Sequence, residues 1–156
     1  MTMTAYAAYG SNMNRAQMLD RTRGEAEPIG SGLLQDWQLA FRRGVLTIEP
    51  MAGACVPLAF WRISPGARLA LDRYEGAPFL YAPQQRGAAE VIRLDGMLPD
   101  EFLIYEMTAE GVNLIDRPDC PGTAYYDTCA QGYADFGLEE WLWVLEAARE
   151  RSFDLS

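Results

Sequence analysis

Two short segments carry residue types that could do chemistry. In Leu71-Asp72-Arg73-Tyr74-Glu75-Gly76, a helical reading puts Ala67, Leu71 and Glu75 at i, i+4 and i+8 along one face. Glu75 thus continues an apolar stripe that its charged neighbours leave, while Arg68 and Asp72, four apart, can pair on the solvent side. A carboxylate turned into the fold at a helix C-terminus meets two penalties, desolvation and the negative end of the helix dipole. Both raise its pKa toward the range of a general base. The alternative is a glutamate at a frayed helix end that reaches solvent or an arginine. The second segment, Tyr9-Gly10-Ser11-Asn12, separates an apolar run from a helical stretch. A glycine turn that enters a helix exposes unpaired backbone N–H groups able to bind a carboxylate or steady an oxyanion. An ordinary strand-to-helix turn with an asparagine cap is the plain alternative.

Tyrosines recur along the chain at Tyr9, Tyr74, Tyr81, Tyr105, Tyr125 and Tyr126. Most suit core or rim packing with the hydroxyl satisfied, and some can line a polar pocket. What is missing narrows the chemistry further. The chain has no histidine, and all 13 of its basic residues are arginine. That removes Ser-His-Asp and Cys-His catalysis, imidazole metal sites, Schiff-base chemistry and a P-loop lysine. Proton transfer falls to a carboxylate, a tyrosine, a cysteine or an amine. The three cysteines, Cys55, Cys120 and Cys129, are far apart and odd in number, with no metal spacing and no disulfide framework. Cys129 lies in a helical stretch and reads as a small buried thiol. An amidase built on Cys129 or Ser11 lacks a visible base for its nucleophile.

The elements that would position these residues follow from periodicity. At 156 residues, 49% hydrophobic and 22% charged, the chain fits one globular domain, 1–156, with a substantial core. Residues 3–9 read as a buried strand ending at Gly10, and Asn12 can cap a helix over 13–21 with Met18 and Leu19 inward. Strands are expected over 33–41, 45–49 and 55–63, with Pro57 marking an edge or a bulge. Ser64-Pro65 starts a helix that Gly76 stops. Residues 91–94 and 102–107 resemble the two strands of a hairpin turned at Asp95-Gly96. Residues 123–136 form a helix closed by Gly137, and a last helix begins at Glu139-Glu140 and ends at Arg149 and Arg151, complementing its dipole. That order argues α+β: a mixed β-sheet curled into a small barrel with flanking helices.

The run Ala8-Tyr9-Gly10-Ser11-Asn12-Met13, followed by Leu71-Asp72-Arg73-Tyr74-Glu75-Gly76, resembles the gamma-glutamyl cyclotransferase family. Leu39 and Phe41 match that family's second strand, Tyr105 a later strand tyrosine, and residues 125–138 its C-terminal helix and exit. The resemblance implies a mixed β-barrel with flanking helices, no cofactor and no metal. It implies conversion of a gamma-glutamyl amide to 5-oxoproline with release of a free amine, whether amino acid, simple amine or aminoglycoside. Glu75 would be the acid/base, and Tyr9, Gly10, Ser11 and Asn12 would bind the glutamyl head, with Tyr81, Tyr105 and Tyr125 also contacting substrate. The chain departs from the family at Pro57-Leu58, where members often carry glycine. It also departs at Pro83-Gln84-Gln85-Arg86-Gly87, read as a loop that interrupts the strand and borders the pocket. Arg21 suits either a contact to the substrate carboxylate or a surface role. A non-catalytic binding or interaction module on the same fold is the alternative function.

The net charge of −9 and scattered arginines argue against nucleic acid as a partner. An acidic surface serves solubility and mildly favours a cationic leaving group. No apolar run approaches the ~20 residues that span a bilayer, and no secretory signal is legible. The expected compartment is the cytoplasm, with a small-molecule gamma-glutamyl substrate and either a monomer or a homodimer.

Overall fold

In the computed structural model, which describes residues 2–153, the longest elements are β2 (Ala26–Arg42) and β3 (Val45–Ile63). They meet at a two-residue turn in which Arg43 (φ 55°) and Gly44 (φ 86°) both take positive φ, the turn whose twist suits a hairpin. The pairing skips Ile29, between Pro28 and Gly30, and breaks more widely near Asp36, where Gln35 faces Cys55 and Trp37 faces Pro50. Asp36 (φ 66°) and Gly53 (φ 82°) absorb the irregularity, and the Gly53 N–H donates to Asp36 Oδ1 at 3.0 Å. A bulge bends the strand that carries it, so the hairpin has an inner half within the sheet and an outer half that folds over it. The two strands expected over 45–49 and 55–63 are the two halves of β3.

The inner half is the centre of a six-stranded mixed sheet in the order β4-β6-β1-β3-β2-β5. β1 (Thr4–Ala8) runs antiparallel to β3 and parallel to β6 (Glu101–Met107); β4 (Tyr81–Gly87) flanks β6, and β5 (Val91–Gly96) flanks β2. β1 reaches only Ala59 on β3, so Pro57 lies where β3 has a single neighbour, as its missing N–H requires.

The α+β class is as expected, and the sheet curls, but it does not close into a barrel. Its edges β4 and β5 pair with nothing beyond β6 and β2 among the described residues. The outer half of the hairpin bridges the gap by side chains instead of a ladder. Tyr81 OH donates to the Leu46 carbonyl at 2.7 Å, the Met107 N–H donates to Thr47 Oγ1 at 2.9 Å, and the Arg86 guanidinium lies 4.3 Å over the Trp37 ring.

Two expectations about the later strands are corrected. Residues 83–87 are not a loop but most of β4, because an edge strand tolerates Pro83. Residues 91–96 and 101–107 do not form a hairpin; β5 and β6 lie on opposite sides of the sheet centre. Gly96 (φ 65°) packs so closely that a Cβ there would stand 2.4 Å from the Ile29 carbonyl oxygen, and the Met97 N–H donates to that carbonyl at 2.8 Å. These contacts tie the turn to β2 and send the chain away from β5. A helix not anticipated from sequence, α3 (Ala109–Leu114), follows β6, capped by Thr108.

The other helices are α1 (Arg15–Arg21), α2 (Pro65–Tyr74), α4 (Thr123–Asp135) and α5 (Leu142–Phe153). Met18 of α1 is buried, but Leu19 is 41% exposed. Around the sheet, Phe41, Phe60, Trp61, Phe102, Tyr133 and Leu145 form one continuous core, which Cys129 joins fully buried, as expected. The termini of the expected 1–156 domain, residue 1 and residues 154–156, lie outside the described residues.

Helix α4 packs against the turn after β1 through a glycine. A Cβ at Gly132 would stand 2.5 Å from Met13 Cβ and 2.7 Å from Asn14 N, so α4 lies directly on the turn after β1. Neither neighbour is the free end of a flexible side chain. Gly132→Ala should therefore destabilise the protein by about 1–3 kcal/mol, as overpacking does, lowering both the thermal midpoint and the urea midpoint.

Candidate active site

The site is assembled from two element ends. β1 stops at Ala8, and Ser11–Met13 forms a single 3₁₀ turn before α1. The sequence suggested Asn12 as the cap of α1; the cap is Asn14, whose Oδ1 accepts from the Gln17 N–H at 3.0 Å. The displaced role frees the Asn12 side chain, which is buried. The Met13 N–H is the first in this turn to find a backbone acceptor, the Gly10 carbonyl at 3.0 Å, leaving the preceding N–H groups at the mouth of the turn as helix geometry requires. The Trp61 indole N–H donates to the Asn12 carbonyl at 3.1 Å, pinning the turn to β3.

The second end is that of α2. Ser64 caps its start, accepting from the Ala67 N–H at 3.0 Å, and Pro65 occupies the first turn. Ala67 and Leu71 are buried, as their i, i+4 spacing indicates. Tyr74 departs from the inward face and is 51% exposed. Glu75 follows as the C-cap, its N–H donating to the Leu71 carbonyl at 2.8 Å, and Gly76 (φ 63°) ends the helix. Arg68 and Asp72 pair at 3.2 Å on the outer side, and Asp72 also accepts from the Tyr105 hydroxyl.

These two ends face one cavity of about 260 Å³, near the lower end of the ~300–1,000 Å³ usual for small-molecule sites. All eight residues singled out from the sequence line it: Glu75, Tyr9, Gly10, Ser11, Asn12, Tyr81, Tyr105 and Tyr125. Of the other tyrosines considered as pocket lining, Tyr74 is a wall residue and Tyr126 is not, and sequence reasoning missed Tyr6, Val45, Leu46, Leu80 and Ile115. Tyr6 was legible in principle, since it lies on the strand that delivers Tyr9. Val45 and Leu46 were not, because only the folded-over half of the hairpin brings them to Gly10. Arg21 is not a wall residue. It stands behind the turn, half-buried, with Nη1 donating to Ser11 Oγ (3.2 Å) and to Asn12 Oδ1, and its guanidinium stacks 3.4 Å over the Tyr74 ring.

Six of the fourteen wall residues are tyrosines, held in place by internal hydrogen bonds. Tyr9 OH donates to the Tyr105 carbonyl at 2.6 Å, and Tyr125 OH accepts from the Leu46 N–H at 3.1 Å. Burial pushes the phenols of Tyr6, Tyr9, Tyr81, Tyr105 and Tyr125 upward, so they stay neutral donors. Burial also pushes the Glu75 carboxyl from the ordinary 4.5 up to about 7, and the nearby Arg21 guanidinium pulls only partly against it. The residue keeps some accessible surface because it faces the cavity, while protein encloses the carboxyl itself. Among the described residues no cluster of three or more His, Cys, Asp or Glu side chains could hold a metal ion, and no helix is long and apolar enough to cross a membrane. Cys55, Cys120 and Cys129 are all free thiols.

With this geometry in hand, the fold can be compared with solved structures. One described as a gamma-glutamyl cyclotransferase superposes with a TM-score of 0.76 at 22% identity, covering 94% of this chain and 88% of that one. An uncharacterized Homo sapiens protein gives 0.77 at 23% identity over the same shares, 94% and 88%. An AIG2-like protein from Mus musculus gives 0.58 at 22%, covering 70% of this chain and 80% of that one. No family model matches the chain, and no curated protein matches it. The chain therefore has the fold of these structures, and at such identities the likeness extends to the fold alone.

The raised Glu75 pKa makes a stability prediction of its own. An acid whose native pKa lies above its unfolded value is held protonated by folding, so its contribution to stability falls as pH climbs from about 4.5 to about 7. Glu75→Gln should match the wild type near the bottom of that window and be the more stable protein at about pH 8. Paired urea melts across the window measure the difference. A glutamine variant that is less stable at every pH would show that the carboxylate is not desolvated.

Proposed function

We propose that the chain is a gamma-glutamyl cyclotransferase: it closes the glutamyl part of a gamma-glutamyl amide into 5-oxoproline and releases the free amine. The observation that carries this reading is a single enclosed carboxyl, Glu75, raised to about 7 and sharing one small cavity with the turn after β1. The fold likeness to a structure described as a gamma-glutamyl cyclotransferase supports it, as does an inventory without histidine or lysine.

The chemistry needs little else. The nucleophile is the substrate's own α-amine, which in peptides has a pKa near 8 and is mostly ammonium at neutral pH. Glu75 as carboxylate takes a proton from it; the freed nitrogen attacks the γ-carbonyl carbon, forming the ring C–N bond and a tetrahedral oxyanion. As the oxyanion collapses, the amide C–N bond breaks, Glu75 gives its proton to the departing nitrogen, and the ring nitrogen loses its second proton to the carboxylate so regenerated, which passes it to the released amine or to water. Atoms and charge balance with no redox partner. Such acid/base transfer is worth about 10²–10⁴-fold. The backbone N–H groups of the Gly10–Asn12 turn bind the α-carboxylate of the glutamyl head. Holding the flexible chain folded between that turn and Glu75 supplies the entropic part of the acceleration.

The test is incubation with a panel of gamma-glutamyl amides bearing amino-acid, simple-amine and aminoglycoside leaving groups, with mass spectrometry for 5-oxoproline. At least one should yield product, with kcat/KM rising through an acid limb near the Glu75 value of about 7. Glu75→Gln should lower kcat by about 10²–10⁴-fold while ligand binding persists. Absence of product from every member would refute the enzyme reading and leave a binding module.

A further inference from the structure

We propose that the Tyr6 hydroxyl donates a hydrogen bond to the γ-carbonyl oxygen of the substrate as it becomes an oxyanion, with Arg21 setting the direction of that donor through Asn12. The inference rests on the cyclotransferase reading and assigns a role within it to two residues that the sequence did not place there.

The reason lies in which groups can give protons and which can only accept them. Arg21 donates and never accepts, so the edge of the Asn12 amide that meets its Nη1 must be the oxygen. The Asn12 NH₂ must then point the other way. It does so, donating to Tyr6 OH at 3.0 Å and to Glu75 Oε1 at 3.4 Å. The far side agrees with the near side, since the Glu75 carboxylate can accept but not give. With its lone pair engaged by Asn12, the Tyr6 oxygen has a proton left to donate, and it donates no hydrogen bond among the described residues.

The other buried wall phenols differ. Tyr9 commits its proton to the Tyr105 carbonyl, Tyr81 to the Leu46 carbonyl and Tyr105 to Asp72; Tyr125 accepts from the Leu46 N–H of the outer hairpin and is only half-buried. Tyr74 is at the exposed rim under Arg21. Tyr6 alone combines an unassigned proton, near-complete burial at 4% exposure and a place beside the acid/base. Burial and the Glu75 charge push its pKa upward, so it remains a donor throughout the working pH range. A preset, buried donor acts most strongly where negative charge develops.

Tyr6→Phe keeps the ring and deletes the donor. On whichever gamma-glutamyl amide the wild type turns over, kcat should fall about 10²–10³-fold with KM within about threefold, the mark of a contact strongest in the transition state. Arg21→Met frees the amide to rotate and should lose about tenfold in kcat, while Arg21→Lys, still donor-only, restores most of it. The acid limb of kcat/KM should move upward in the Met variant and return in the Lys variant, which a merely structural arginine would not produce. A Tyr6→Phe enzyme with kcat within about threefold of wild type, or one altered only in KM, overturns the inference. Should that variant fail to fold, Arg21→Met with unchanged kcat and an unmoved limb overturns it instead. A wild type that makes no 5-oxoproline from any amide refutes the underlying reading, and this inference with it.

Discussion

Glu75 is a carboxyl that folding drives away from water, and the rest of the site exists to make that tolerable. Enclosing a carboxyl without a full counter-charge raises its pKa, and a helix C-terminus offers an anion no relief. Arg21 is near enough to moderate the shift but does not reach the carboxylate; it acts through the neutral amide of Asn12. A direct Arg–Glu pair would hold the acid ionised and unfit it for the proposed proton transfer. An amide in between steadies both partners and leaves the proton movable.

That arrangement demands accuracy from elements that are distant in sequence. β1 delivers Tyr6 and the Gly10 turn, α2 delivers Glu75, and the two ends meet because β1 is clamped between β3 and β6. α4 presses on the turn with no side chain at Gly132, and Trp61 holds its carbonyl from the sheet. The outer half of the long hairpin closes the remaining side, bringing Leu46 within 3.5 Å of where a Gly10 Cβ would stand. Its curl replaces barrel closure: a few side-chain contacts across the gap enclose the cavity, with no continuous ladder.

Much of the site was legible in local pattern, because local rules decide helix starts and stops. Ser64-Pro65 and Gly76 bounded α2, and the Ala67–Leu71–Glu75 spacing turned the acid inward with no knowledge of the sheet. The failures share a cause. Asn12 and Asn14 are equally good caps by type, and only the 3₁₀ turn at Ser11–Met13 selects Asn14 and frees Asn12 for the cavity. Residues 83–87 look like a loop until an edge position excuses Pro83, and β5 and β6 look like a hairpin until the Gly96–Ile29 contact carries them to opposite sides of the sheet.

Taken alone, the sequence narrowed the class of chemistry. A chain with neither histidine nor lysine leaves proton transfer to a carboxylate, a tyrosine, a cysteine or an amine; periodicity turned Glu75 inward, and the family resemblance alone implied its acid/base role. Tertiary structure decided the direction of the hydrogen bonds around it. Whether an amide offers its oxygen or its nitrogen, and whether a phenol has a proton to give, depends on partners that strand pairing and helix packing bring together from 63 residues away in the case of Asn12 and Glu75. No local pattern encodes that orientation.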